Sequence, residues 1–425
     1  MTWEIREGDV REVLASMAEQ SIHCTITSPP YWALRDYGIA GQLGLEPRPD
    51  CLGWATGERC GECYVCRMVE VFRGVKRVLR DDGVCAVNMG DSYATGAGSV
   101  GNCPGGGRQG ENWKGATTSP NRMPLQGIAP KNQVLMPHRL ALALQADGWI
   151  VRSTVIWAKG ISFCEHYSGS VMPEACRDRP TTSHEYVFLL AKKQRYFWDL
   201  EAVRERCGLN THPRGDGCHQ KAKRGNRGET RQNAGFCSAV SGPMSTRNLR
   251  TVWAINPQPF TASSIPGNTG GVDHFATFPE ALVRPLVRAG TSARGVCPAC
   301  GAPWERDVEA TEEYKAKLGH GQIHRYAKVG DVGCSTLTGQ SANRSVTAQY
   351  RTTGWRPTCG CDAGDPVLAT VLDPFSGSGT TGVVAGAEER NYVGIELNPA
   401  YAAMSRGRLD AATRQGLLPG VGGGA

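Results

Sequence analysis

The sequence predicts an α/β protein built on a doubly wound, mostly parallel sheet, and three observations carry that prediction. Apolar runs of strand length alternate with stretches of helical periodicity at both ends of the chain. A Pro-Pro break closes one such strand near the front, and a glycine-rich turn closes another near the back. Alternating strands and helices favour parallel pairing, because each helix returns the chain to begin the next strand in the same direction.

The elements follow in order. Residues 2–28 read as strand, helix, strand: Val10, Val13, Leu14 and Met17 recur at helical spacing, and Ile22-His23-Cys24-Thr25-Ile26-Thr27 is an apolar run that ends at Pro29-Pro30. A second helix is marked by Val69, Phe72, Val75, Val78 and Leu79. It leads through an Asp81-Asp82-Gly83 turn into the strand Val84–Met89. Residues 92–130, rich in Gly, Pro, Asn and Ser, read as a long loop of a length usually kept for function. Leu135, Leu140, Leu142 and Leu144 then mark a helix, followed by strands over Trp149–Trp157 and Glu185–Ala191. After a polar segment over Glu305–Pro357 come the strand Val367–Leu372, a glycine turn, a helix, and the strand Asn391–Glu396.

Composition limits the possible partners. With 425 residues and 40% hydrophobic content, the chain can bury one large α/β core plus an appendage. It has no run of roughly eighteen apolar residues, and its first residues lack the basic start and apolar core of a signal peptide, so a cytoplasmic protein is expected. In that compartment the seventeen cysteines read as metal ligands and buried small residues rather than disulfides. The formal charge of +7 is modest, but Arg204–Arg250 gathers Arg and Lys among Gly, Asn, His and Ser. That stretch reads either as a basic surface able to neutralise the phosphates of a nucleic acid, double-stranded DNA being the partner the family resemblance below implies, or as a merely solvated loop.

Two motifs carry chemistry. Asp373-Pro374-Phe375-Ser376-Gly377-Ser378-Gly379-Thr380-Thr381-Gly382 leaves a strand and opens a helix, and Glu396 ends the next strand. Glycines there let the backbone approach a ligand, and an acidic residue so placed binds ribose hydroxyls, as any adenosine cofactor requires. Only about forty residues follow Gly382, too few for the second half of a dinucleotide site. The rest of the sheet must therefore come from upstream, which argues against a nicotinamide-dependent oxidoreductase.

At the other end, Thr27-Ser28-Pro29-Pro30-Tyr31-Trp32 sits where open α/β sheets place ligands. The prolines stiffen the backbone and leave carbonyls without companion N–H groups. Ser28 adds a hydroxyl acceptor and Tyr31 a flat stacking surface. Such a set suits the exocyclic amine of a flipped base. A cytosine-C5 mechanism needs a cysteine nucleophile, commonly preceded by proline, and the chain contains no Pro-Cys dipeptide.

Together these residues make the chain resemble the β class of DNA amino-methyltransferases, in which a catalytic region precedes a target-recognition region and a cofactor region. The resemblance implies a Rossmann-like methyltransferase fold with permuted motif order, S-adenosylmethionine as cofactor, and Ser28, Pro29, Pro30 and Tyr31 as the catalytic motif. Its serine form is associated mainly with cytosine N4; adenine N6 remains the alternative, as does an inactive DNA-binding protein of the same fold. Gly8-Asp9-Val10 resembles the segment lining the cofactor's adenine pocket. His274–Leu282 resembles the cofactor-lining motif, in which Phe278 would pack against the cofactor. Asp373, Phe375, Gly377, Gly379 and Thr380 would surround the methionine part and ribose, with Glu396 and Asn398 completing the cofactor set. Asn88-Met89-Gly90-Asp91, Trp157-Ala158-Lys159, Asp178–Thr181 and His184-Glu185-Tyr186 also look familial. A cognate restriction endonuclease is a candidate partner.

The clustered cysteines point to structural zinc. Cys297-Pro-Ala-Cys300 with Cys359-Gly-Cys361 would supply four thiolates in two knuckles, with Cys334, His320 and His324 as alternative ligands. Cys51, Cys60, Cys63 and Cys66 form a second candidate set, open between zinc and free thiols. The expected organisation is a catalytic half over 1–200, a basic target-recognition region over 201–260, a cofactor-lining segment over 261–296, a zinc-stapled insertion over 297–361, and the cofactor-binding half over 362–425.

Overall fold

The computed structural model describes residues 1–34, 38–94, 128–171, 173–174, 176–206, 246–258, 277–312 and 350–416. Residues 207–245 of the basic stretch, residues 95–127 of the segment expected as a loop, His274–Ala276, His320, His324 and Cys334 lie outside the described residues. The chain divides into a larger unit (Met1–Asp199, Arg250–Pro303, Thr358–Ala425) and a smaller one (Leu200–Leu249, Trp304–Pro357).

The larger unit is built on an eight-stranded sheet in the order β1 (Trp3–Glu7), β12 (Asn391–Glu396), β11 (Thr370–Asp373), β2 (Ile22–Thr27), β3 (Leu79–Met89), β5 (His184–Ala191), β4 (Ile150–Ala158) and β8 (Val252–Ala254). Pairing is parallel throughout except that β5 runs antiparallel to both of its neighbours. The α/β class and the mostly parallel sheet expected from the sequence are therefore present. The strand β11, from the back of the chain, lies between β12 and β2, with Val371 opposite Cys24 and Leu372 opposite Thr25. That insertion is the physical form of the permuted order.

Helices cover both faces. On one, α1 (Val10–Ser16), α3 (Tyr64–Val78) and α4 (Met136–Ala146) pack together, and a short α2 (Gly53–Thr56) precedes α3. Met68, Val69, Phe72, Val75 and Val78 of α3 are buried, which at roughly 1.5–3 kcal/mol for each large side chain makes this face the main anchor of the helix. Alternation along β3 sends Cys85, Val87 and Met89 into this cluster. Val84 and Ala86 point instead toward α5 (Glu280–Gly290) on the opposite face. There α5 packs on α6 (Thr380–Ala387), tied by Arg284 and Arg288 to Glu388 at 2.7 and 2.8 Å, and α6 packs on α7 (Pro399–Gly416).

Two local expectations change. Asp81-Asp82-Gly83 is not a turn but part of β3: the register moves from Ile22 opposite Leu79 to Cys24 opposite Val84, so these residues form an outward bulge. The apolar run from Val367 splits, since Val367 bridges Val296 and the strand proper begins at Thr370. The smaller unit contains two antiparallel pairs: β9 (Trp304–Ala310) with β10 (Tyr350–Pro357), and β6 (Glu205–Arg206) with β7 (Thr246–Arg247). The polar segment over Glu305–Pro357 thus holds strands that its composition concealed. Among the described residues no helix is long and apolar enough to cross a membrane.

Candidate active site

The C-terminal ends of β2, β3, β4, β11 and β12, with the N-terminal end of β5, open on a cavity of about 690 Å³. One wall is Ser28, Pro29, Pro30 and Tyr31; another is Asp373, Phe375, Gly377, Thr380, Glu396 and Asn398. Asp9 and Phe278 line it as well. The two motifs are joined directly where their strands end. Thr27 Oγ1 donates to Asp373 Oδ1 at 2.7 Å, Thr381 Oγ1 donates to Oδ2 at 2.8 Å, and Phe375 N donates to Oδ1 at 3.1 Å. Complete burial pushes the Asp373 carboxyl up to about 6 in spite of these three donors.

The glycine turn is shaped for close approach. Gly377 and Gly379 have φ of 53° and 78°, in the region that glycine enters without strain. Gly379 does not line the cavity: a Cβ there would stand 2.3 Å from Ser405 Oγ, so its role is to let the turn pack on α7. Glu396 is fixed by its own backbone neighbourhood, taking Gly377 N on Oε2 at 2.8 Å and Asn398 N on Oε1 at 2.9 Å. Burial raises its carboxyl above the ordinary range. Each oxygen retains a lone pair for a further donor, which fits a pair of ribose hydroxyls. Asp9 caps α1 and is engaged by Arg11, whose Nε and Nη2 lie 2.9 and 2.5 Å from its oxygens. That pairing holds the Asp9 carboxyl below its usual range. The cavity volume, the turn and the oriented Glu396 together fit a nucleoside cofactor.

On the wall formed by Ser28–Tyr31, the Tyr64 hydroxyl donates to the Pro30 carbonyl at 2.7 Å. The sequence reading left both diproline carbonyls free; helix α3 engages one of them. Ser28 Oγ and the Pro29 carbonyl remain as acceptors that no described donor engages. Tyr31 donates to Glu185 Oε2 at 2.6 Å, and Glu185 also takes Asn88 Nδ2 at 3.1 Å and an ion pair from Lys159. Lys159 in turn lies over the Trp157 ring at 4.7 Å. Asn88, Trp157, Lys159 and Glu185 all line the cavity, although sequence reasoning gave their segments no role. The partners of Thr27 and Tyr64 carried no signal in the sequence, because only the folded neighbourhood supplies them.

Both cysteine sets assemble. The Sγ atoms of Cys51, Cys60, Cys63 and Cys66 all lie within 4.8 Å of one another, as do those of Cys297, Cys300, Cys359 and Cys361. Cys51 and Cys66 sulfurs are 3.6 Å apart, close to the roughly 3.8 Å edge of a tetrahedron with Zn–S bonds of about 2.3 Å. Cys63 caps α3, so Cys63 and Cys66 stand at the positive end of the helix. Burial opposes ionisation of Cys60, but backbone N–H groups of Glu62 and Cys63 outweigh it and bring the thiol down to about 7. The Cys300 N–H does the same for Cys297, also to about 7. Cys297, Cys300, Cys359 and Cys361 supply four ligands for a tetrahedral site among the described residues. Of the remaining cysteines, Cys24 and Cys85 are fully buried on their strands, as expected.

A permuted doubly wound sheet whose Ser-Pro-Pro-Tyr corner faces a glycine turn across one cavity is the arrangement expected of an S-adenosylmethionine-dependent amino-methyltransferase. The family model described as DNA methylase, N6_N4_Mtase, matches residues 22–297 and 367–406, and the chain belongs to that family. Type II methyltransferase M.Cfr9I of Citrobacter freundii is 32% identical over 405 residues, spanning 95% of this chain and 86% of that protein. Type II methyltransferase M.SmaI of Serratia marcescens is 30% identical over 409 residues, spanning 95% and 89%. The solved PvuII DNA methyltransferase (cytosine-N4-specific) overlays with a TM-score of 0.49 at 16% identity, over 97% of this chain and 91% of that one.

Proposed function

We propose that the protein methylates the exocyclic N4 of cytosine in double-stranded DNA, taking the base into the cavity by flipping it from the duplex. The observation that carries this reading is the Thr27–Asp373 hydrogen bond, which fixes the serine-form catalytic corner beside the cofactor turn. S-adenosylmethionine, when bound, supplies a methyl group on a sulfonium whose departure leaves a neutral sulfide. Glu396 would hold the ribose, Phe278 would pack on the cofactor with the Gly8–Val10 segment forming the adenine wall, and Phe375, Gly377, Thr380 and Asn398 would enclose the rest. Ser28 Oγ and the Pro29 carbonyl accept from the two amine protons. This draws the nitrogen lone pair out of conjugation and aims it at the methyl. Adenine N6 is disfavoured because the first residue of the motif is serine.

The two four-cysteine sets are assigned to structural zinc, and residues 201–260 to target recognition. The cytoplasm and a partner endonuclease of the same specificity complete the proposal. The test uses purified protein, S-adenosylmethionine with a labelled methyl group, and unmethylated genomic DNA, followed by mass analysis of the released nucleosides. N4-methylcytosine is expected. N6-methyladenine overturns the base assignment, and no labelled nucleoside overturns the enzymatic one. Ser28→Ala should lower transfer by about 10²–10³-fold while S-adenosylmethionine still binds.

A further inference from the structure

We propose that Ser28, Tyr31 and Glu185 form a directional hydrogen-bond relay, which turns the Ser28 oxygen toward the target amine and carries the amine's surplus proton to the Glu185 carboxylate. It rests on the amino-methyltransferase reading and gives Glu185, a residue outside the catalytic motif, a positioning role in the reaction.

The direction follows from which groups can donate. An ionised carboxylate only accepts, and Glu185 receives Lys159 Nζ on one oxygen and both Tyr31 OH (2.6 Å) and Asn88 Nδ2 (3.1 Å) on the other. The Tyr31 proton is thereby committed to Glu185, since its contact with Asn88 Oδ1 is much longer at 3.4 Å. What the Tyr31 oxygen offers its remaining neighbours is lone pairs: the Gly90 N–H is one donor to it, and the Ser28 hydroxyl is the other, at 3.5 Å. With its own proton turned toward Tyr31, Ser28 Oγ presents lone pairs to the cavity. The Ser28–Tyr31 link is the slack member, and such contacts commonly tighten in the substrate complex.

The chemistry requires an exit for a proton. Once N4 has gained the methyl and sulfur has kept the electron pair of the broken S–C bond, N4 carries a positive charge and two protons. One passes to Ser28 Oγ as the Ser28 proton passes to Tyr31 and the Tyr31 proton to Glu185 Oε2. Both hydroxyls are restored, the methylated amine and Glu185 are neutral, and Glu185 later releases its proton to solvent. The Glu185 side chain, 14% exposed on the cavity wall, keeps a route for that release. The Lys159 ammonium balances the resting charge of Glu185.

The packing leaves room for the relay. A Cβ on Gly90 would lie 2.9 Å from Tyr31 Cε2 and 3.3 Å from Glu185 Cδ, so glycine at the end of β3 lets ring and carboxylate meet. Burial, reinforced by the Glu185 charge, holds the Tyr31 phenol well above its ordinary range, so it passes protons as a neutral hydroxyl. The groups facing it are Glu185, Ser28, Asn88 and the Gly90 N–H, with Lys159 behind Glu185.

The experiment measures single-turnover methyl transfer to unmethylated genomic DNA for Glu185→Gln, Glu185→Asp, Tyr31→Phe and the Tyr31→Phe/Glu185→Gln double variant. Glu185→Gln and Tyr31→Phe should each lose about 10²-fold or more, and the double variant should be no slower than the slower single variant. Glu185→Asp, which keeps a carboxylate, should retain more rate than Glu185→Gln. S-adenosylmethionine affinity by calorimetry should be unchanged; its loss in Glu185→Gln would reveal a merely structural residue. A readout independent of turnover is phenolate absorbance. Subtracting the Tyr31→Phe titration isolates Tyr31, which should ionise at lower pH in Glu185→Gln than in the wild type, and an unchanged titration overturns the contact. Should Glu185→Gln fail to fold, Tyr31→Phe decides, since it keeps the ring and cuts the relay. An active wild type with undiminished variants overturns the relay alone, whereas an inactive wild type overturns the proposed function and the relay with it.

Discussion

Replacing Asp373 with asparagine should stabilise the protein at alkaline pH and do little in acid. The carboxyl is fully buried, and its value rises from the ordinary 3.8 to about 6. At about 1.4 kcal/mol per pH unit, that rise corresponds to about 3 kcal/mol of stability forgone when the group ionises in the folded state. Because the folded value is the higher one, the unfolded chain loses this proton first. The folded state's advantage is complete below about pH 4 and disappears as pH rises through about 6. Asparagine cannot ionise and can still be satisfied: its oxygen accepts from Thr27 and Phe375. Its amide donates to Thr381 Oγ1, whose own proton can turn to the Ile26 carbonyl, already 3.5 Å away. Unfolding free energies of Asp373→Asn and wild type from urea titrations should therefore converge near about pH 4 and separate by up to about 3 kcal/mol near about pH 8, with the variant ahead. Asp373→Ala is the control. It leaves two buried hydroxyls and an N–H without their acceptor, each worth about 1–3 kcal/mol, and should be less stable than Asp373→Asn at every pH. A gap between wild type and Asp373→Asn that does not change with pH, or that favours wild type in alkali, would refute the assignment of a buried, upward-shifted carboxylate.

Other outcomes are expected from the same geometry. Atomic emission of the purified protein should find two zinc ions per chain, and Cys297→Ser should lose one of them while the Cys51–Cys66 set keeps the other. A single ion in the wild type would show that one cysteine set is not a metal site. Tyr64→Phe removes the 2.7 Å hydrogen bond to the Pro30 carbonyl and should lower stability by about 1 kcal/mol in urea unfolding, along with a slower initial rate of methyl transfer. Gly90→Ala forces a methyl against the Tyr31 ring and should destabilise by about 1–3 kcal/mol, with a loss of transfer beyond what the stability change accounts for. Wild-type rates in Gly90→Ala would mean that the ring moves aside without consequence.

Much of this site could be read in the sequence because its two motifs are contiguous. Residues 27–32 and 373–382 each carry their own geometry: prolines that stiffen, and glycines that permit positive φ. Helix α3 was visible in the spacing of Val69, Phe72 and Val75, although its start at Tyr64, just after a cysteine cap, was not. The Asp81–Gly83 bulge was misread because Asp-Asp-Gly serves a turn and a bulge equally well, and only the paired strand β2 distinguishes them. Thr27, Tyr64 and Gly90 are silent in sequence for a common reason. Their roles consist of a partner 346, 34 or 59 residues distant, and no local pattern records such a distance.

The direction of one strand explains how Glu185, whose segment the sequence marked without a role, comes to this site. Ligands gather at the C-terminal ends of parallel strands, so a sequence reading searches there. That rule finds Ser28 after β2, Asn88 in β3, Lys159 after β4, Asp373 in β11 and Glu396 in β12. Because β5 runs the other way, with Tyr186 opposite Met89, its beginning lies at the same edge as the ends of β3 and β4. Glu185 therefore reaches the cavity from the N-terminal end of its strand. Alternation of apolar residues is identical in both directions, so periodicity cannot distinguish a parallel β5 from an antiparallel one. Reversal of this strand places a carboxylate within reach of a tyrosine on a distant loop; in a wholly parallel sheet residue 185 would lie at the opposite edge, and the hydroxyl of Tyr31 would need another acceptor.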